Sequence, residues 1–169
     1  TVHCDRILAD GEILQLGNQE WTVLITPGHH PGHICLLSKA GLVAGDMVAG
    51  IGTILIPPGT GDMDLYIEQL QRLRDMEPHL MFPSHGPVIS LPEKTLTYYI
   101  KHRKERHQRV LDAVDSGLTT VSEISVQAYA NTPDAHPGLA QDQTLAHLLS
   151  HERSGRVQQT GQGWVSGEN

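Results

Sequence analysis

The sequence has few aromatic residues and few cysteines. Of its 169 residues only seven are Phe, Tyr or Trp, and two are cysteine, Cys4 and Cys35. Two cysteines are too few for the disulfide scaffold of a small secreted protein. No apolar run approaches the roughly 18 residues that a transmembrane helix needs, and no basic start and apolar segment of a signal peptide is visible. These absences favour a reduced, cytoplasmic setting without membrane contact.

Positive charge is also scarce, whereas histidine is abundant. The chain has 12 Lys and Arg against 19 Asp and Glu, for a net charge of −7, most of it in residues 1–100. An acidic chain argues against broad, charge-driven DNA binding, although it leaves room for a local basic patch. The 11 histidines outnumber all aromatic residues together. Because histidine adds little apolar area and often serves metals or protons, this excess indicates chemistry rather than packing.

The first unit, residues 1–91, has the pattern of a layered α/β domain. Apolar runs at residues 12–16, 21–25, 33–37 and 42–44 predict four strands separated by turn residues. A long loop rich in glycine and proline follows at residues 48–61, and long loops in compact domains are often functional. From Met63 the apolar spacing becomes helical, and residues 80–82 predict a further short strand. Strands followed by a helix favour an α/β fold.

The second unit, residues 92–169, predicts three helices and a hairpin. The first helix runs from about Pro92 to Gly117, and a capping box at residues 120–123 opens the second, which ends near Ala130. The third spans residues 141–153, and the run 156–165 predicts two short strands. Three helices followed by a small hairpin is the outline of a winged helix.

Three candidate metal ligands stand directly after predicted strands. Residues 26–33 read Thr-Pro-Gly-His-His-Pro-Gly-His, Asp46 ends the run Ala-Gly-Asp, and His85 lies in Pro-Ser-His-Gly-Pro. Because strand ends at one edge of a sheet converge, His29, Asp46 and His85 are expected to share a site. Nitrogen and carboxylate ligands together suit Zn²⁺, Fe or Mn²⁺ better than Ca²⁺ or Mg²⁺.

A purely structural interpretation competes with this one. An aspartate at a strand end is usually a turn former or helix cap, and an isolated loop histidine is more often structural than a ligand. Three histidines within five positions are harder to explain in that way. Spacing alone leaves the two interpretations about equally weighted.

The same motifs resemble those of a known family. Thr26–His33, Ala-Gly-Asp46 and Ser84-His-Gly-Pro-Val-Ile89 are similar to the later motifs of the metallo-β-lactamase superfamily. The run Tyr99–Arg106, the run Tyr129–Pro133 and the helix at 141–153 resemble the winged-helix tail of its β-lactamase-like protein 2 group. The implied fold is the second half of an αββα sandwich followed by a small winged-helix-like domain.

What this resemblance implies is a metal-dependent hydrolase that uses a metal-bound hydroxide. His29 would bind one metal, Asp46 would bridge two metals as the catalytic carboxylate, and His85 would bind the second. The expected cofactor is zinc, two ions per complete site, with iron or manganese as alternatives. His33 would support the site from nearby, and His30 would face solvent. The implied substrates are single-stranded RNA or a small ester, thioester or lactone.

One motif of the family is absent from the sequence. The superfamily's earlier His-x-His-x-Asp-His motif, which supplies most of the remaining ligands, does not occur in these 169 residues. The expectation is therefore that an N-terminal half precedes this chain or that another chain supplies it, and that these residues alone are inactive.

A basic segment in the predicted first helix of the second unit supports a rival function. Five cations fall within residues 101–109, and Arg103, Lys104 and Arg106 could contact single-stranded nucleic acid. A solvated face is the alternative, since Lys101 and Glu105 are spaced to pair. The rival is a catalytically silent winged-helix module that binds nucleic acid or protein. The near-neutral charge of residues 101–169 favours packing or homodimerisation over DNA reading.

Overall fold

The computed structural model describes residues 4–167, so the outermost ends of both predicted units lie outside it. Its elements in chain order are β1 (Ile13–Leu16), β2 (Gln19–Ile25), β3 (Ile34–Ser38), β4 (Gly41–Gly45), α1 (Met63–Asp75), β5 (Met81–Pro83), α2 (Pro92–Asp115), α3 (Val121–Ala128), α4 (Pro137–Arg153), β6 (Val157–Thr160) and β7 (Gly163–Ser166). α4 begins four residues before the predicted start because Pro137 occupies the first turn, where proline is favoured. No helix within residues 4–167 is long and apolar enough to cross a membrane.

The strands form a five-stranded sheet and a separate hairpin. The sheet order is β1-β2-β3-β4-β5, and every neighbouring pair is antiparallel except β4 and β5. α1 makes the crossover between those two parallel strands. As a result β2, β4 and β5 run in the same direction, and their carboxyl ends lie at one edge of the sheet.

Two groups of buried apolar side chains hold these elements together. The first packs the sheet against α1 and α2 and includes Leu24, Leu42, Tyr66, Leu70, Met81 and Leu96. The second joins the far half of α2 to α3, α4 and the hairpin and includes Val110, Ile124, Leu148, Val157 and Trp164. Burying one such side chain contributes about 1.5–3 kcal/mol. The 24-residue α2 belongs to both groups.

The position of α2 between two cores corrects one expectation from the sequence. Arg103 and Arg106 are only 2% and 4% exposed, because they lie on the same helical stripe as Leu96 and Val110. The Arg103 guanidinium lies 5.4 Å from the centre of the Tyr66 ring. Buried guanidinium groups cannot reach a nucleic-acid backbone, so the prediction that Arg103 and Arg106 contact nucleic acid is wrong. Lys104 is exposed, and its contact stays a prediction.

The loop of residues 48–61 contains no helix or strand, and yet part of it is buried. Val48, Ala49, Ile54 and Ile56 pack into the first core. Buried backbone groups need hydrogen-bond partners, and several of those in this loop find them on the helices. The Tyr99 hydroxyl, for example, accepts from Ala49 N at 2.9 Å.

Three histidines meet between α2 and α4. The rings of His107 and His151 stack with their centres 3.6 Å apart, and Nδ1 of His107 lies 3.1 Å from Nδ1 of His147. Nε2 of His147 and Nδ1 of His151 are buried without a hydrogen-bond partner among the described residues. Burial lowers the pKa of all three, that of His107 to about 4 and that of His147 well below its usual value.

Charged groups around the three histidines also shift their pKa values, some downwards and some upwards. Arg156 lowers the pKa of His107 and His151, and Arg103 lowers that of His147. Asp64 opposes the pKa shift of both His107 and His151, and Asp115 opposes that of His151. Burial outweighs these carboxylates, so all three rings are neutral in the folded protein near pH 7.

This cluster predicts a loss of stability in mild acid. The unfolded chain binds protons at these rings near pH 6.5, whereas the folded chain does not, so the free energy of unfolding should fall as the pH drops from about 6.5 to about 5. The slope is at most about 1.4 kcal/mol per pH unit for each histidine. Urea unfolding at several pH values measures it. His107→Gln should reduce the slope, and the exposed His79→Gln should leave it unchanged. Equal slopes for the two variants would contradict the prediction.

Candidate metal centre

The carboxyl ends of three strands place the candidate ligands at one edge of the sheet. β2 leads into the turn of residues 26–33, β4 ends one residue before Asp46, and β5 ends two residues before His85. These three strands run in the same direction, so residues far apart in sequence meet at that edge. The convergence expected from the sequence is present.

The Asp46 carboxylate lies between two imidazoles. Its Oδ2 is 3.7 Å from Nε2 of His29, and its Oδ1 is 3.4 Å from Nε2 of His85. Each histidine therefore faces a different carboxylate oxygen. Oδ1 is buried and has no hydrogen-bond partner among the described residues. A buried carboxylate oxygen without a partner is costly unless a positive charge or a donor compensates it.

His33 supports this arrangement from behind. Its Nε2 accepts a hydrogen bond from the backbone N–H of Asp46 at 2.9 Å, so its proton is on Nδ1, which donates to Oγ1 of Thr26 at 2.8 Å. Burial lowers the pKa of His33, and the Asp46 charge only partly opposes this shift. Gly45 is required here, because its φ is +52° and a Cβ would lie 2.5 Å from Nε2 of His33. His33 therefore holds the backbone that carries Asp46.

A second hydrogen bond orients His29. Its Nδ1 lies 2.7 Å from the carbonyl oxygen of Leu55, so Nδ1–H donates to that oxygen and Nε2 faces Asp46. A carbonyl that holds one nitrogen of a ligating histidine in this way fixes its tautomer and ring orientation. Leu55 was not among the residues singled out in the sequence, since a backbone acceptor leaves no side-chain signal.

The remaining histidine of the turn takes no part in the site. His30 is exposed, and its Nδ1 accepts from the backbone N–H of Gly32 at 3.1 Å. It shapes the turn and faces solvent, as expected.

The donor atoms suit a transition metal. Imidazole nitrogens and a carboxylate favour zinc or iron over calcium or magnesium, and Oδ1 of Asp46 accepts no hydrogen bond from a described residue, which leaves it available to a metal. Within residues 4–167, however, no group of three or more His, Cys, Asp or Glu side chains could hold one metal ion. The geometry instead presents two pairs of ligands that share a carboxylate, His29 with Asp46 and His85 with Asp46.

Comparison with known proteins identifies the family. Residues 3–85 match the family description "Metallo-beta-lactamase superfamily". Over 167 residues the chain is 31% identical to the beta-lactamase-like protein 2 homolog of Drosophila melanogaster, an alignment that covers 91% of this chain and 56% of the fly protein. The chain belongs to the metallo-beta-lactamase superfamily. Members of this superfamily are mostly hydrolases and typically bind zinc or iron.

Further relatives extend the likeness. The chain is 26% identical over 111 residues to the atrochrysone carboxyl ACP thioesterase of Aspergillus fumigatus, covering 64% of this chain and 34% of that protein. It superposes on the crystal structure of a metallo-beta-lactamase family protein from Thermus thermophilus with a TM-score of 0.79 and 24% identity, covering 94% of this chain and 53% of the other. This likeness shows an α/β metallo-beta-lactamase-like fold over most of the chain. The chain spans about half the length of the fly and Thermus proteins.

Proposed function

We propose that this metallo-beta-lactamase-like chain carries one side of a two-metal centre in a hydrolase. The observation that supports the proposal most directly is the placement of His29 and His85 on different oxygens of one carboxylate. A single-metal site would bring three ligands to one point, whereas a shared carboxylate between two histidines suits a pair of metals. The remaining ligands would come from residues outside these 169, in the same polypeptide or in another chain.

In this proposal each residue has a separate task. His29 and His85 each present Nε2, and Asp46 contributes one oxygen to each side. Hydrogen bonding by His33 and the Leu55 carbonyl keeps Asp46 and His29 in place. Zinc or iron held by these residues would supply a Lewis acid and a more acidic water for hydrolysis.

We also propose that residues 1–91 are the second half of an αββα sandwich and residues 92–169 a winged-helix tail. The parallel pair β4–β5 at the ligand-bearing edge supports the first assignment. The order of three helices and a hairpin around a second core supports the other.

The proposed substrate is a small ester, thioester or lactone, with single-stranded RNA as the rival. A relative named as a thioesterase supports the first class. The burial of Arg103 and Arg106 removes two of the three cations on which an RNA-binding surface was predicted. Of the exposed cations on that segment, Lys101 lies 3.8 Å from Glu105, which further reduces the charge available to phosphates.

The intact protein should purify with bound zinc or iron and hydrolyse one substrate class. Metal content is measured by mass spectrometry, and hydrolysis is measured on a glutathione thioester, a lactone and a single-stranded RNA. His29→Ala and His85→Ala should each lower the rate at least about 100-fold, because each removes a ligand. The matched control is His30→Ala, which changes an exposed histidine of the same turn and should leave the rate unchanged.

The same experiment separates the hydrolase from a silent binding module. A protein that contains no metal and whose properties are unaffected by His29→Ala is not a metal-dependent hydrolase. RNA binding that persists without hydrolysis and weakens on Lys104→Ala would support the binding module instead, since loss of one phosphate contact reduces the salt dependence of binding.

A further inference from the structure

Residues 54–56 connect the metal-ligand candidate His29 to the two long helices. The middle residue, Leu55, accepts the hydrogen bond of His29 Nδ1–H at 2.7 Å. This acceptor lies in the 48–61 loop, which has no strand or helix of its own to fix the direction of a carbonyl. The orientation of His29 therefore depends on whatever holds the backbone on either side of Leu55.

Two buried side chains hold that backbone, one from each helix. Arg103 of α2 donates from Nη2 to the carbonyl oxygen of Ile54. Gln143 of α4 bonds Ile56 twice, since its Oε1 accepts from Ile56 N at 3.2 Å and its Nε2 donates to Ile56 O at 2.8 Å. The residues before and after Leu55 are thus both fixed by hydrogen bonds from outside the loop.

The two side chains also orient each other. Nη1 of Arg103 donates to Oε1 of Gln143 at 2.8 Å, so the amide can turn only its nitrogen towards Ile56 O. Gln143 is 7% exposed and Arg103 2%, so water does not compete for these bonds. The planar guanidinium offers several donors in one rigid fork, which a lysine cannot reproduce.

Packing alone is a poor account of a buried Arg103. Among residues 4–167 no carboxylate pairs with it, and its Nε has no hydrogen-bond partner. Burying a charge is strongly unfavourable, and an apolar side chain of similar size would often serve the core as well. An apolar side chain could not donate hydrogen bonds to both the carbonyl of Ile54 and the amide of Gln143.

We propose that Arg103 and Gln143 are positioning residues for His29. They hold residues 54–56 so that the Leu55 carbonyl keeps His29 in its Nδ1–H tautomer, with Nε2 turned towards Asp46. The significance of this for metal binding rests on the proposed function. In this role the helices of the second unit complete the metal centre of the first.

The tautomer of His29 in the metal-free protein tests this inference. Two-bond ¹H–¹⁵N correlation spectra of the imidazole rings distinguish Nδ1–H from Nε2–H, and His29→Asn assigns the signal. The wild-type protein should show Nδ1–H for His29. Gln143→Leu, which removes three hydrogen bonds at similar volume, should convert the signal to a mixture of tautomers. Gln141→Leu, an exposed position on the same helix, is the matched control and should leave the signal unchanged.

Zinc affinity provides the second measurement. Gln143→Leu should weaken zinc binding by up to about 10–100-fold, the effect of losing the direct partner of a ligating histidine, because it releases the backbone that carries that partner. Arg103→Lys keeps the charge but not the forked arrangement of donors, so it should give an intermediate mixture of tautomers. This variant replaces Gln143→Leu as the test if Gln143→Leu does not fold. A pure Nδ1–H signal for His29 in a folded Gln143→Leu or Arg103→Lys protein would overturn the inference. A shifted tautomer in an intact protein that binds no zinc even as wild type would support the positioning role and overturn the metal centre.

Discussion

Asp46→Asn should weaken zinc binding at least about 100-fold while lowering the free energy of unfolding of the metal-free protein by no more than about 1 kcal/mol. Asparagine keeps the shape of the side chain but removes the charge that two histidines face. Losing a ligand is expected to cost at least as much affinity as losing a partner behind one, which costs about 10–100-fold. Because Asp46 faces both imidazoles, the loss should affect both of the proposed metal positions.

The stability of the Asp46→Asn protein makes the prediction specific. In the metal-free protein Oδ1 of Asp46 is buried without a hydrogen bond to any described residue, which is unfavourable for a carboxylate. Removing its charge should therefore change the free energy of unfolding by no more than about 1 kcal/mol in the unfavourable direction. Zinc titration and urea unfolding measure the two quantities. Asp75→Asn, an exposed aspartate at the end of α1, is the control. Unchanged zinc affinity in Asp46→Asn would show that Asp46 is not a ligand.

Gly28→Ala should destabilise the fold by about 3 kcal/mol or more. Gly28 has a φ of +141°, which an alanine rarely adopts, and its added Cβ would lie 2.4 Å from Cα of Tyr66. The obstacle is the backbone of α1 rather than a movable side chain, and Tyr66 is itself buried with its hydroxyl bonded to Met47 O. Backbone strain and overpacking therefore both contribute to the destabilisation of the Gly28→Ala protein. For a chain of this size the thermal midpoint should fall by about 6–12 °C.

A neighbouring glycine controls for the Gly28 substitution. Gly32 lies in the same turn, and a Cβ there would meet only the His30 ring at 3.5 Å, an ordinary contact. Gly32→Ala should therefore shift the midpoint by less than about 2 °C. Equal midpoints for the two variants would contradict the close approach of the turn to α1. A large effect at Gly28 alone would confirm that the turn lies directly against the backbone of α1.

The candidate ligands were predictable because each follows an apolar strand. Strand alternation and turn residues locate the ends of β2, β4 and β5, and parallel direction brings His29, Asp46 and His85 to one edge. That inference needs only local pattern and sheet geometry. The same local patterns predicted α1, the capping box of α3 and the hairpin, since each depends on residues close in sequence.

The buried polar residues of the second unit could not be predicted in this way. Arg103 and Arg106 have the composition of a basic surface, and their burial depends on two cores meeting along α2. The one local signal was their spacing from Leu96 and Val110, which places them on the apolar stripe. The contact of Gln143 with Ile56 depends on the folded chain as a whole, because no pattern within either segment refers to the other.

The separation of Gln143 from Ile56 has a consequence for the order of events during synthesis. The two residues are 87 positions apart, and during synthesis an N-terminal unit generally folds before the units that follow it. The sheet can form from neighbouring strands while α4 is still untranslated. The 48–61 loop then lacks its hydrogen-bond partners until α4 has left the ribosome. Completion of the ligand edge is therefore a late step, and a ribosome stalled before residue 143 would carry a formed sheet with an unfinished edge.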